Sequence, residues 1–202
     1  MHRDARTVGS GGKVVCPARG VISCMIDLSF PAEARAWTGR MLKGAFRIMS
    51  KGAFMGEDRQ AWLESFQFSI PLKIRYCETD MLGHVNNVSY FMYFEQGRIE
   101  YVENLGLTDE LFSDKTVSVV ADLECQYLGQ IYLRDQLRLH VKTAKLGRSS
   151  MDIHYALTVG EELRAAGRGT VVLIDTASGR STAIPDHVRE ALRSFEGEGM
   201  TD

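Results

Sequence analysis

The run Tyr90-Phe91-Met92-Tyr93-Phe94 places large apolar side chains in every direction around a helix axis, whereas a surface helix carries one apolar stripe about 100° wide. The segment Val88 to Leu105 that contains the run is too long and too aromatic for a strand, and Gly106 stands where a helix stop is expected. Such a helix must be wrapped. Gly97 sits in its middle, where glycine costs up to about 1 kcal/mol relative to alanine, and this predicts close approach of a strand or another helix. A curled sheet can cover much of the helix, and a second copy of the chain is expected to cover the rest.

The strands that could do this are visible as alternation. Ile70, Leu72, Ile74 and Tyr76 alternate with Pro71, Lys73 and Arg75, the period of a half-buried strand, with Pro71 tolerable near its start or on an edge. Val117 to Tyr127 alternates over its whole length, and so do Leu137–Thr143 and Met151–Val159, which are separated by a Leu146-Gly147-Arg148-Ser149 turn. A last strand is expected at about Thr170–Ile174, followed by a short helix opened by Pro185 with Val188, Ala191, Leu192 and Phe195 on one side. Strands joined by short turns must pair antiparallel. The expected class is α+β, a curved antiparallel five-stranded sheet around one long central helix.

Residues 1–65 lack this regularity. Residues 1–50 hold 8 Lys+Arg against 3 Asp+Glu, and the remainder 16 against 23. The stretch Thr7–Lys13 is rich in glycine but has the wrong spacing for a phosphate loop, and Ala32–Met49 could form a basic helix. We expect residues 1–65 to be an extension that is partly disordered or dispensable. A mis-assigned start is favoured over a targeting segment, which the scarcity of acids would also fit. Residues 66–197 form the expected domain and 198–202 a tail. The net charge of −2 gives no pull toward nucleic acid or anionic lipid, and no apolar run approaches the roughly 20 residues of a spanning helix. Cys16, Cys24, Cys77 and Cys125 show no zinc-ligand or disulfide spacing, so no metal and no cofactor is expected, and reduced thiols fit a cytoplasmic protein.

The loop from Tyr76 to Asn87 packs an acid, a glycine, a histidine and two amides between a strand and a helix N-terminus. Helix N-termini offer unpaired N–H groups that can hold a developing oxyanion. Asp80 beside them reads as base or nucleophile, or else Asp80 or Asn87 simply caps the helix. His84 alone reads more readily as structural. On the helix, Phe91, Glu95, Ile99 and Val102 share one face; Glu95 is either partly desolvated there or paired with Arg98 at i+3. No serine nucleophile elbow and no H-E-x-x-H zinc motif occurs.

The sequence Arg75-Tyr76…Thr79-Asp80-Met81-Leu82-Gly83-His84-Val85-Asn86-Asn87…Tyr90…Tyr93-Phe94-Glu95…Arg98 closely resembles hotdog-fold acyl-CoA thioesterases of the 4-hydroxybenzoyl-CoA thioesterase type, over about residues 66–197. The resemblance implies a hotdog fold, and a homodimer or homotetramer with active sites at the dimer interface. It implies Asp80 as the carboxylate that attacks the thioester or activates water. Asn87 falls where a backbone N–H polarises the thioester carbonyl, and His84 and Asn86 match groups that position water or substrate. Glu95 matches a helix carboxylate used by some branches. Arg148 and Ser149, assisted by Lys145, are candidates to touch coenzyme A or else a solvated turn. Tyr90 is a candidate to line the acyl pocket or to fill core. The implied substrate is an acyl-CoA or an acyl-carrier-protein thioester, hydrolysed to the free acid. The alternatives are a non-catalytic acyl-CoA binding or sensing module, and a hotdog dehydratase or hydratase, whose loop signature differs.

Overall fold

The computed structural model describes residues 53–197, 200 and 201. The basic helix expected over Ala32–Met49, the segment Thr7–Lys13, Cys16 and Cys24 lie outside the described residues. A 3-10 turn (Ala53–Met55) and helix α1 (Arg59–Glu64) precede strand β1 (Phe68–Leu72). A second 3-10 turn (Tyr76–Glu78) leads to the long helix α2 (Asn87–Asn104) and the short α3 (Thr108–Leu111). Strands β2 (Thr116–Tyr127), β3 (Leu137–Leu146), β4 (Ser150–Val159), β5 (Glu162–Asp175) and β6 (Arg180–Ser181) follow, and α4 (Asp186–Glu196) closes the fold.

The sheet runs β1-β3-β4-β5-β2, antiparallel throughout, with β6 on β5. It curls around α2, as the aromatic run requires. Phe94 is fully buried and stacks on Tyr155 of β4 with ring centroids 4.6 Å apart. Gly97 does meet a strand: a Cβ there would collide with Leu139 of β3 and touch Val141. Gly167 of β5 plays the matching part, since a Cβ on it would lie 2.5 Å from the Phe94 ring. The two glycines let helix and sheet approach to backbone distance.

These small residues explain one difference from the sequence expectation. β5 begins at Glu162 and not near Thr170, because Ala165, Ala166, Gly167 and Gly169 give no apolar alternation although they pair along β4 and β2. β1 is shorter than expected, for Ile74 and Tyr76 leave the strand and Tyr76 opens the second 3-10 turn.

The packed fold also begins ahead of residue 66. Met55 and Trp62 are buried against Ala156 and Ala166, with Phe54, Leu63 and Phe66 beside them. Tyr155, Leu157 and Ala165 belong to the α2 side of the core, so by strand alternation the Trp62 cluster covers the opposite face of the sheet. Asp58 caps α1 by accepting from the N–H groups of Gln60 and Ala61, both at 3.0 Å. Among the described residues no helix is long and apolar enough to cross a membrane.

Not all of α2 is covered. Tyr90, Tyr93, Phe94, Gly97, Tyr101 and Val102 are buried, whereas Val88, Met92, Glu95 and Ile99, spaced at four, three and four, form an exposed stripe. At the far edge of the sheet, no strand among the described residues pairs with the outer side of β2, which carries only an isolated bridge from Phe112 to Val117, and Val119 and Val120 are exposed.

Candidate active site

The loop between the second 3-10 turn and α2 is closed on itself by Asp80. The Asp80 N–H donates to the His84 carbonyl at 2.8 Å, and Asp80 Oδ1 accepts from the N–H groups of Leu82 (2.8 Å) and His84 (3.2 Å). The turn passes through Gly83 at φ 76°, a conformation that side chains with a Cβ resist. Beyond it the Val85 N–H donates to the Ile131 carbonyl at 2.8 Å, and the His84 ring lies edge-on to Tyr132 with centroids 5.0 Å apart. The loop is thereby stitched to the segment that follows β2. Asp80 Oδ2 makes no hydrogen bond among the described residues.

The helix start differs from the expectation that Asp80 or Asn87 caps it. The cap is Asn86, whose side chain accepts from the Val88 N–H at 3.0 Å. Asn87 is the first helical residue and is exposed; its carbonyl accepts from the Tyr127 hydroxyl at 3.1 Å. Its own N–H makes no hydrogen bond among the described residues, as the geometry of a first turn dictates. A half-buried carboxylate with one unused oxygen therefore sits seven residues before an unused helix N–H.

Tyr90 is buried in the core and meets Tyr127 edge-to-face, with centroids 4.9 Å apart. Burial, then Cys125, Tyr127 and Asp80 as neighbours, raise the pKa of its hydroxyl, so it stays protonated. Burial likewise pushes the Cys125 thiol and the Tyr127 hydroxyl up to about 12. Gln130 Nε2, whose side-chain oxygen accepts from the Tyr132 hydroxyl, is buried without a hydrogen-bond partner among the described residues, and so is Arg164 Nε, although the Arg164 guanidinium pairs with Glu162 at 2.6 Å.

Sequence reasoning missed Glu78, which is 3% exposed. Its side chain accepts from the Arg75 N–H and guanidinium at 2.7 Å each and from the Tyr93 hydroxyl at 2.8 Å. Its carbonyl accepts from the Asn86 N–H and the Ser89 hydroxyl. Burial by itself would raise the Glu78 pKa, but the bonds from Arg75 and Tyr93 outweigh it and hold the carboxylate below its ordinary value. Glu78 thus clamps the loop to the first two turns of α2. The available signal was the spacing Arg75-x-x-Glu78 with Tyr93 on the inner helix face.

Glu95 is neither half-buried nor paired with Arg98. It is exposed in the Val88–Ile99 stripe, about 12 Å along the helix from Asn87, and Arg98 donates instead to the Tyr155 hydroxyl at 3.3 Å. Lys145, Arg148 and Ser149 lie at the other end of the sheet. Tyr132 bridges His84 just before β3 begins, and ten residues of β3 at roughly 3.3 Å each separate that end from the turn. The turn itself is tight, with the Gly147 N–H donating to the Ser150 carbonyl, and the Arg148 carbonyl accepts from the Arg189 guanidinium and the Ile184 N–H. Within one chain, Asp80, His84, Asn86, Asn87 and Tyr90 come together; Glu95 and the turn residues do not join them.

A curled antiparallel sheet around a helix, with an acid beside that helix's free N-terminus, defines a hotdog-fold protein. The family model of the Thioesterase-like superfamily matches residues 74–192, and the chain belongs to that family. It is 36% identical over 148 residues to the uncharacterized protein YsmA of Bacillus subtilis, covering 71% of this chain and 97% of that one. It is 30% identical to the chloroplastic acyl-acyl carrier protein thioesterase ATL2 of Arabidopsis thaliana, covering 66% of this chain and 72% of that protein. Among solved structures, a thioesterase of Thermus thermophilus complexed with coenzyme A and Zn superposes with a TM-score of 0.60 at 34% identity, covering 67% of this chain and 98% of that one.

Proposed function

We propose that the chain hydrolyses acyl thioesters, with an acyl-CoA as the first candidate substrate and an acyl-carrier-protein thioester as the second, in the manner of the 4-hydroxybenzoyl-CoA type. The observation that carries this reading is the free Oδ2 of Asp80 in the loop that leads directly into α2, whose first N–H, that of Asn87, is also free among the described residues. The thioester carbonyl oxygen sits on the helix N–H, where the N-terminal dipole favours developing negative charge. Asp80 either attacks the carbonyl carbon or takes a proton from water that does so. The C–S bond then breaks, the thiol leaves, and water supplies the oxygen of the free acid. His84 and Asn86 hold the loop and the helix start in place. A cytoplasmic setting, which the spacing of the cysteines suits, is part of the same proposal.

The same reading calls for a homodimer or a tetramer built from it. The exposed stripe of Val88, Met92 and Ile99 and the open β2 edge are both surfaces a second copy could cover, and uncovered they would be an association hazard. A two-fold partner running antiparallel along α2 brings the far end of one copy, with Arg148, Ser149 and Lys145, toward the Asp80 loop of the other, and desolvates Glu95.

The test is thiol release from a panel of acyl-CoA and acyl-carrier-protein thioesters by wild type and Asp80→Asn. Asparagine keeps the size and the turn-forming carbonyl of aspartate, so the melting temperature is expected to hold while turnover falls about 100-fold or more. Wild-type turnover in a folded Asp80→Asn protein overturns the assignment and moves attention to Glu95. Binding of acyl-CoA with no turnover by the wild type identifies a sensing module instead.

A further inference from the structure

The face of the sheet turned away from α2 holds a groove of about 460 Å³ that shares only Lys145, at its edge, with the residues the proposed hydrolysis draws on. Phe54 and Trp62 wall it on one side, and Lys142, Asp152, His154 and Arg168 line it from the strands. Its single acid is already engaged. Arg168 grips both Asp152 oxygens through three hydrogen bonds of 2.8, 2.9 and 2.8 Å. His154 is neutral by construction: the Trp62 indole N–H donates to its Nδ1 at 3.2 Å, which leaves the ring proton on Nε2, 3.8 Å from Asp152.

Lys142 has no such counterpart. It is 7% exposed, donates to the Ser65 hydroxyl at 2.5 Å and lies 5.0 Å from the centre of the Phe66 ring. No carboxylate lies within ion-pair distance of it among the described residues. The nearby acid, Glu196, is occupied on the helix side by the Tyr101 hydroxyl and the Thr143 N–H. A buried ammonium without a counter-charge is costly, and Lys145 on the same groove adds a further positive charge. The volume is that of a small-molecule site, with the buried Lys142 in its lining and an aromatic wall beside it.

We propose that this groove binds a small organic carboxylate, its carboxylate on Lys142 and its apolar or aromatic body against Phe54 and Trp62. With Arg168 held by Asp152 and Lys145 exposed, Lys142 is the one buried cation of the lining without a counter-charge, which matches a monoanion, and the aromatic wall offers nothing to the remaining oxygens of a phosphate. The acids released by thioester hydrolysis are of this class; that choice of probe rests on the proposed function, while the groove itself does not.

The chain has two tryptophans, so Trp37→Phe in the full-length protein leaves Trp62 as the only reporter. Sodium benzoate and sodium octanoate are titrated while Trp62 emission is followed, with inorganic phosphate and coenzyme A in separate arms. The expected result is saturable binding of at least one carboxylate, weakened about tenfold by Lys142→Met and two- to threefold by the safer exposed change Lys145→Gln, with circular dichroism confirming that both fold. Asp80→Asn is expected to bind the carboxylate as wild type does, which separates this groove from the catalytic loop. Absence of saturation, equal affinity in both lysine variants, response to phosphate or coenzyme A alone, or loss of the response in Asp80→Asn each overturns the proposal.

Discussion

On the helix side of the sheet, Asp80 in the loop before α2 keeps one oxygen free, and the N–H of Asn87, the first helical residue, is equally unengaged among the described residues. On the opposite side, the Trp62 indole, His154, Asp152 and Arg168 are joined partner to partner, while Lys142 has no carboxylate within ion-pair distance among the described residues. Both faces bury titratable groups, so burial does not tell them apart. The difference is in unused hydrogen-bonding capacity. Glu78 is more deeply buried than Asp80, yet each oxygen of its side chain is taken, and this marks it as a clamp beside the reacting group.

If this contrast holds, Trp62→Ala separates stability from rate. The indole fills a layer against Ala156 and Ala166 and satisfies His154, and truncating a buried tryptophan costs about 3 kcal/mol or more. Urea denaturation is expected to show that loss while kcat on an acyl thioester stays within twofold. A matched loss of kcat at temperatures where the variant is folded would show that the two faces are coupled.

Acid titration sharpens the comparison, because the two faces lose stability in different windows. Burial holds His154 and His140 at about 4, below their ordinary 6.5. Between those values the unfolded chain binds more protons than the folded one, so stability falls as pH drops from about 6.5 to 4, by about 2 kcal/mol per histidine. Glu78 has the opposite chemistry and a lower window: its folded pKa is depressed, so its contribution is present above the ordinary glutamate value and is lost as pH falls through the depressed one. Denaturation midpoints from pH 7 to 3 are expected to fall in two stages, with His154→Gln flattening only the first.

Glu78→Gln probes the clamp directly. The amide keeps the shape but loses the charge that pairs with Arg75 at 2.6 Å and one of its acceptors, so the loop is held less exactly against α2. A drop in kcat of about tenfold, equivalent to about 1.4 kcal/mol, is expected with KM little changed, since Glu78 is too buried to touch substrate. An unchanged kcat would reduce Glu78 to a purely structural role.

The sequence made the helix side legible because its constraints are local and periodic. The all-round aromatic run demanded a wrapped helix, Gly97 announced close approach of a strand or another helix, which proves to be β3, and the acid–glycine–histidine–amide loop stood next to a helix start. It concealed what depends on long-range pairing. Glu78 acquires meaning only when Tyr93 folds over it, and β5 is built from alanines and glycines whose value lies in the space they leave for Phe94. The Trp62 cover was hidden for a similar reason: six residues of helix are too few to show a period, and the small receptors Ala156 and Ala166 sit more than ninety residues away.

The smallest expected effect concerns the chain ahead of that cover. Residues 53–66 bring Met55, Trp62 and Phe66 onto the sheet, whereas the sequence of residues 1–50 shows none of the strand alternation found in residues 66–197. Removal of residues 2–52 is therefore expected to shift the unfolding free energy by about 0.5 kcal/mol or less, in the range of changes far from packed or bonded features, and to leave kcat unchanged. Extending the deletion through residue 66 removes the aromatic cover and uncovers His154 and Lys142, so it is expected to cost at least as much as Trp62→Ala. The measurement is a pair of denaturation curves with thiol-release rates for both truncations. Equal damage from the shorter one would mean that the first fifty residues belong to the fold, and the contrast between a chemical face and a covered face would have to be redrawn with them on it.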